Sequence, residues 1–227
     1  LSKSPRACCS PSQKGSNLVP TTYTRERKEV PMFITPETET CNNHQRDTFV
    51  AKRFEGLAFN GVNFNFAHLG RAQFIDCAFI DCSFVRALFG ATKGRDPGGF
   101  SGCTFTDCDM VGAQLRHGEY VDCTFVRSDF HGADAFQSKF GECTFTDCDL
   151  VGMIFRGSLT RNCSFDRCDL HGADLGTEEH VNLSITDTKS HSFRLSGGTL
   201  PEGLDVPKLI ANGYLAADLL AAYEAAP

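Results

Sequence analysis

Four aspartates recur at a spacing of 20 residues, at Asp109, Asp129, Asp149 and Asp169. In a repeating fold such positions lie above one another, and like charges at a strand spacing of about 4.8 Å repel. Two interpretations remain open. Each carboxylate accepts a main-chain N–H at a turn, or the line of charge imitates a row of phosphates for a basic partner. Two further acidic residues on the adjacent side would enlarge the patch, Asp134 and Asp174.

The other reactive side chains do not form a catalytic pattern. His131 and His171 share a repeat position that faces solvent, and no Ser-His-Asp or Cys-His arrangement is legible. The sequence has no Gly-rich phosphate-binding loop. We therefore expect a protein that is not an enzyme and that has no cofactor.

The cysteines also follow the repeat. Nine of the 12 occupy one small position of it: Cys77, Cys82, Cys103, Cys108, Cys123, Cys143, Cys148, Cys163 and Cys168. Stacked Cβ atoms about 4.8 Å apart are too distant for the roughly 3.8 Å that a disulfide prefers. Zinc needs about four ligands that converge on one point, which a line of thiols does not offer. We expect buried, reduced thiols and no metal, as is typical of a cytoplasmic protein.

The element that must position these side chains is a repeat of five residues. Bulky apolar residues recur at every fifth position, with a small residue two positions before each. The bulky series begins Phe54, Phe59, Phe64, Leu69, Phe74, Phe79, Phe84 and Phe89, and resumes from Phe100 to Leu175. This period fits neither a helix nor a flat strand. It predicts a chain that turns a corner every five residues, with the bulky and small residues inside.

A second repeat, of 20 residues, predicts how many sides each coil has. Residues 103–122 read CTFTDCDMVGAQLRHGEYVD, and the next three blocks begin CTFVRSDF, CTFTDCDL and CSFDRCDL. Four five-residue sides therefore make one coil, and coils stack at about 4.8 Å. Between Phe54 and Leu200 there is room for about seven coils, or a rod roughly 35 Å tall.

The segments CDMVGAQL, SDFHGADA, CDLVGMIF and CDLHGADL resemble the pentapeptide-repeat family, whose pattern is A-(D/N)-L-x-x. The resemblance covers residues 47–200. It implies an all-β fold, a right-handed quadrilateral β-helix. One branch of the family protects DNA gyrase, carries loops that project from the coils and dimerises through a C-terminal helix.

Three segments flank or interrupt this repeat. Residues 1–46 are expected to form a flexible arm, of which 1–31 are interpreted as an extension that is not native. Residues 90–99 are expected to form a surface loop, with Lys93, Arg95 and Asp96 as candidate partner contacts. Residues 201–227 are expected to form a short α-helical cap and dimer interface. Its apolar stripe consists of Leu209, Ile210, Leu215, Leu219, Leu220 and Tyr223.

A column of alternating charge is also expected on the surface, provided that the loop adds a single residue. Its members would be Arg86, Asp107, Arg127, Asp147, Arg167 and Asp187. Alternating charges at strand spacing form an ion-pair ladder that sets the register and adds little stability per pair.

The charge distribution narrows the class of partner. Residues 1–31 carry a net charge of +4 within an overall −6, so the remainder carries −10. An acidic rod does not bind nucleic acid or an anionic membrane directly, but it fits a basic protein surface. The resemblance favours a homodimeric DNA mimic that binds and protects DNA gyrase or topoisomerase IV. The alternative is a structural or scaffolding module with an unknown protein partner.

Overall fold

The structure is a computed structural model, which describes residues 43–90, 97–176, 179–189 and 194–196. The described residues lie within one compact unit and form a parallel β-solenoid without any helix among them. Nothing in this part of the chain is a helix long and apolar enough to cross a membrane.

Two seven-stranded parallel sheets form two sides of the solenoid. The first contains β1 (Arg53–Glu55), β3 (Gln73–Ile75), β5 (Gly99–Ser101), β7 (Glu119–Val121), β9 (Lys139–Gly141), β11 (Leu159–Arg161) and β14 (Glu179–Val181). The second contains β2 (Ala58–Asn60), β4 (Ala78–Ile80), β6 (Thr104–Thr106), β8 (Thr124–Val126), β10 (Thr144–Thr146), β12 (Ser164–Asp166) and β15 (Ser184–Thr186).

The other two sides are held mainly by single β-bridges. One runs through Asp109↔Asp129 and the other through Gln114↔Asp134, each repeated on successive coils. Near the C-terminal end the latter side widens into a two-stranded sheet, β13 (Asp174–Gly176) with β16 (Arg194–Ser196). Four pairing sites per coil confirm that the 20-residue repeat makes four sides.

The core consists of stacked aromatic rings, as the five-residue period predicts. Phe105 is fully buried between Phe79, at a centroid distance of 4.6 Å, and Phe125, at 4.8 Å. Rings on neighbouring sides meet edge to face, as Phe100 meets Phe105. Both arrangements are favourable for aromatic pairs, so each ring is held from above, from below and from the side.

Every fifth residue turns a corner with a positive φ angle. Gly132 (φ 63°) lies in the glycine column, but non-glycine residues such as Asp107 (φ 55°) and Arg127 (φ 47°) turn other corners. This conformation costs an L-residue roughly 1–2 kcal/mol. Hydrogen bonds between coils hold it in place. For example, the Arg127 N–H donates to the Thr146 carbonyl at 2.9 Å.

Six repeat intervals separate the first and last strands of each large sheet, so these sheets span about six turns of the solenoid. The expected length of the loop needs correction. The loop adds six residues rather than one, because Phe74 pairs with Phe100 instead of with a residue 20 positions later. The 11-residue step from Phe89 to Phe100 contains one side plus six residues, and not two sides plus one.

The nine repeat cysteines are unpaired and at most 2 % exposed, which confirms their inward position. We expect a thiol reagent to modify them slowly in the native protein. Hydrogen bonding with Cys123 and Cys163, followed by burial, raises the pKa of Cys143, so the reactive thiolate is scarce. Dithionitrobenzoate kinetics with and without urea measure this. Rapid native labelling of Cys143 would contradict the register.

Candidate acidic interaction surface

The four aspartates of the acidic column are held by their own main chain. In each, Oδ1 accepts the N–H of the residue two positions later, at 3.1 Å for Asp109, 2.8 Å for Asp129, 2.9 Å for Asp149 and 3.1 Å for Asp169. This geometry is the Asx turn of the structural interpretation. It fixes the direction of each carboxylate before any partner arrives.

The column is continuous from coil to coil. Asp109, Asp129, Asp149 and Asp169 are joined by successive parallel bridges. Asp149 is exposed and the other three are half-buried. The predicted line of carboxylates is therefore present on the surface, at the stacking distance of about 4.8 Å.

The second carboxylate oxygen separates the acidic residues into two groups. In three of them Oδ2 meets a cation, in the pairs Asp134–Arg116, Asp169–Lys189 at 3.5 Å and Asp174–Arg194 at 3.8 Å. Asp134 is also only 5 % exposed. Within the described ranges no ion pair involves Asp109, Asp129 or Asp149. These three residues, named here the open triad, carry the negative charge that a partner can reach.

The ion-pair ladder occupies the corner beside this column. Arg127 binds both carboxylate oxygens of Asp107 at 2.7 and 2.8 Å, and Arg167 binds Asp147 at 2.8 and 3.1 Å. The hydrogen bond from Arg127 holds the pKa of Asp107 below its ordinary value. Any stability from this exposed pair is therefore present above the ordinary aspartate pKa and is lost as pH falls through the depressed value.

The assignment of Arg86 to this ladder is wrong. Its N–H donates to the Val111 carbonyl at 3.0 Å, which aligns Arg86 with Gly112 instead of Asp107. Asp81 takes the ladder position on that coil, since Ile80 pairs with Thr106. The six-residue insertion shifts the alignment by one side, so the regular alternation of charge does not continue across the loop.

A second acidic edge was missed by the sequence analysis. Asp76, Asp122 and Glu142 are exposed at the corner between the two large sheets. Asp76 and Asp122 are 46 residues apart, and Asp122 and Glu142 are 20 apart. These spacings indicate a shared column only when the length of the insertion is known. This edge provides a second set of surface charges with which the open triad can be compared.

The remaining predicted site residues lie outside the described part of the chain. These are Lys93, Arg95 and Asp96 of the loop, together with residues 1–42 of the predicted arm 1–46 and the C-terminal segment 201–227. The helical cap and the dimer through Leu209, Ile210, Leu215, Leu219, Leu220 and Tyr223 stay predictions.

A family described as the pentapeptide repeat region matches residues 99–175. No curated protein matches the chain. Among solved structures, QnrB1, a plasmid-mediated fluoroquinolone resistance protein, is 16 % identical with a TM-score of 0.41, covering 75 % of this chain and 96 % of its own.

Two cyanobacterial structures are also similar. Rfr23, a pentapeptide-repeat protein from Cyanothece, is 12 % identical with a TM-score of 0.29, over 62 % of this chain and 89 % of its own. HetL, a pentapeptide-repeat protein involved in heterocyst differentiation regulation from Nostoc, is 13 % identical with a TM-score of 0.24, over 72 % and 93 %. Residues 99–175 of this chain are thus similar to the pentapeptide repeat region, and their four-sided coils agree with that match.

Proposed function

We propose that this chain is a non-enzymatic rod that imitates DNA and binds the basic DNA-binding surface of a type II topoisomerase, either DNA gyrase or topoisomerase IV. The open triad of Asp109, Asp129 and Asp149 is the contact. The choice of partner rests on the family resemblance of the sequence, and the choice of surface rests on the geometry of the triad.

The observation that carries the proposal is that the two carboxylate oxygens of each triad residue differ in their contacts. Oδ1 of each triad residue is bound to the main chain. Each side chain therefore loses little further conformational freedom when a cation binds its other oxygen. Lysine and arginine side chains that normally meet phosphate oxygens would meet a row of fixed anions about 4.8 Å apart.

The triple variant Asp109→Asn/Asp129→Asn/Asp149→Asn tests this proposal. Each asparagine keeps an oxygen for the Asx turn and removes one charge. Three lost charge pairs at about 0.5 kcal/mol each should weaken the binding of this protein to gyrase, in competition with DNA, roughly tenfold at low salt. The measurement is the displacement of fluorescent duplex DNA from gyrase, followed by anisotropy. Parental binding should itself weaken as salt rises.

The matched control removes the same charge from the other acidic edge, as Asp76→Asn/Asp122→Asn/Glu142→Gln. We expect this control to compete nearly as well as the parent. Equal weakening by both variants would assign the effect to net charge rather than to the triad. A triad variant that folds and competes like the parent would remove the basis of the proposal.

The alternative function is a structural or scaffolding module that binds a different protein. It is favoured by the anchoring of all four column aspartates and by the ion pair of the buried Asp134 with Arg116, both of which serve the fold itself. Under this alternative the parent has no effect on gyrase supercoiling at any salt concentration.

A further inference from the structure

The interior contains two columns of thiols that the proposed function does not use. The longer column, named here the five-thiol column, consists of Cys77, Cys103, Cys123, Cys143 and Cys163 on successive coils. The shorter column has Cys82 and Cys108, then Ser128, then Cys148 and Cys168. Ser128 therefore divides the second column into two pairs of adjacent thiols.

All five side chains of the five-thiol column have the same orientation. Each Sγ donates to the carbonyl two residues earlier, at 3.3 Å for Cys77 and Cys123 and at 3.4 Å for Cys103, Cys143 and Cys163. Identical orientations on parallel coils separate neighbouring sulfurs by the stacking repeat, about 4.8 Å. The sulfurs thus form a straight, evenly spaced line.

This spacing suits linear coordination. With a metal–sulfur bond of about 2.3 Å, as zinc has, a metal ion placed in line between two sulfurs holds them about 4.6 Å apart. Thiolates select soft ions such as Cu⁺. We propose that adjacent thiols of the two columns bind soft monovalent cations, Cu⁺ or Ag⁺, in two-coordinate bridges that run along the core.

Each thiol can serve only one such bridge. In a straight line of sulfurs, a thiolate shared by two cations would need its two metal–sulfur bonds to point in opposite directions, which the bent bonding geometry of sulfur does not allow. Each bridge releases two protons to water for one cation and carries one net negative charge. The five-thiol column therefore holds two bridges, and each pair of the shorter column holds one.

The surroundings exclude the commoner alternatives. No three His, Cys, Asp or Glu side chains converge on one point in the described part of the chain, so the tetrahedral site that zinc prefers is not offered. The columns lie among buried phenylalanines, and the oxygens nearest to the five-thiol column are main-chain carbonyls rather than the carboxylates that hard cations favour. Because the thiols are buried, ions must enter through local opening of the coils, and we expect slow uptake.

Titration with Ag⁺ under argon, followed by native mass spectrometry, tests the proposal. The protein carries Cys8→Ser, Cys9→Ser and Cys41→Ser, so that only the repeat cysteines bind. We expect four ions at saturation, two in the five-thiol column and one in each of the two pairs, whereas nine independent thiols would bind nine. Far-UV circular dichroism should retain the β signal throughout the titration.

Two variants distinguish bridges from independent thiols. Cys123→Ser divides the five-thiol column into two pairs, which hold two bridges as before, and should leave the count unchanged. Ser128→Cys joins the two pairs into a second column of five, which also holds two bridges, and should leave the count unchanged. Independent thiols would change the count by one in each case, and that result would overturn the proposal, as would loss of the β signal on binding. Cys123→Ala serves as a second test of the division. Gyrase binding by these variants is unaffected under either outcome, so this test is independent of the proposed function.

Discussion

Replacing Phe105 with alanine is expected to lower the free energy of unfolding by about 3–5 kcal/mol, as is typical of a buried phenylalanine. Phe105 is fully buried, with rings at 4.6 Å above and 4.8 Å below it. The flanking coils are tied by parallel ladders on both sides of the ring, so they cannot collapse into the space that it leaves. The loss therefore includes both the transfer of the ring to water and the cavity.

Urea denaturation followed by circular dichroism measures this loss. Phe66→Ala is the matched control, because Phe66 is 38 % exposed and contacts the Arg46 guanidinium from outside the core. We expect the control to cost about 1 kcal/mol or less. A loss below about 1 kcal/mol for Phe105→Ala would show that the aromatic column does not hold the coils together.

Replacing Gly99 with alanine is expected to lower the free energy of unfolding by about 3 kcal/mol, the upper end of the usual cost of overpacking, or to prevent folding. A Cβ atom at Gly99 would lie 1.8 Å from the carbonyl oxygen of Glu119 and 2.7 Å from its carbonyl carbon. Main-chain atoms of β7 cannot move aside without breaking the pairing of β5 with β7. The damage falls where the chain returns from the inserted loop to the first sheet.

Two other glycines separate this clash from the general effects of adding a methyl group. Gly141 lies on β9 with no atom within 4 Å of its Cβ position, and Gly141→Ala should change stability by less than about 0.5 kcal/mol. Gly132 has equal space but a φ of 63°, and Gly132→Ala should cost about 1–2 kcal/mol. Thermal unfolding should show the largest loss of stability for Gly99→Ala, an intermediate loss for Gly132→Ala and the smallest for Gly141→Ala. Equal effects of Gly99→Ala and Gly132→Ala would show that the close approach is relieved at no cost.

The sequence alone predicts which residues face the interior, because the five-residue period identifies one bulky and one small position on every side. Phe105 and Cys123 are both buried as predicted. The period does not reveal how many residues an insertion contains. The 11 residues from Phe89 to Phe100 fit two interpretations, and only the pairing of Phe74 with Phe100 distinguishes them. The error about Arg86 has this single origin.

The acidic surface was predictable as a column but not as a set of contacts. A repeat shows which residues lie directly above one another, such as Asp129 and Asp149. It does not show diagonal contacts, and Arg116 reaches Asp134 from a separation of 18 residues instead of 20. Lys189 meets Asp169 on a coil where the pattern has already degraded. The open triad therefore emerges only when the cations around each carboxylate are known.

The insertion between Phe89 and Phe100 has a consequence for how such a rod can be altered. The sequence has six extra residues here, and the strands on either side still pair in full register. The length of a corner is thus independent of the stacking of the coils. Duplication of a 20-residue unit would lengthen the rod, whereas insertion at this corner would change what it displays. The length of the rod and the peptide inserted at this corner can therefore be changed separately, by evolution or by design. A foreign epitope grafted here would be carried on an otherwise unchanged scaffold.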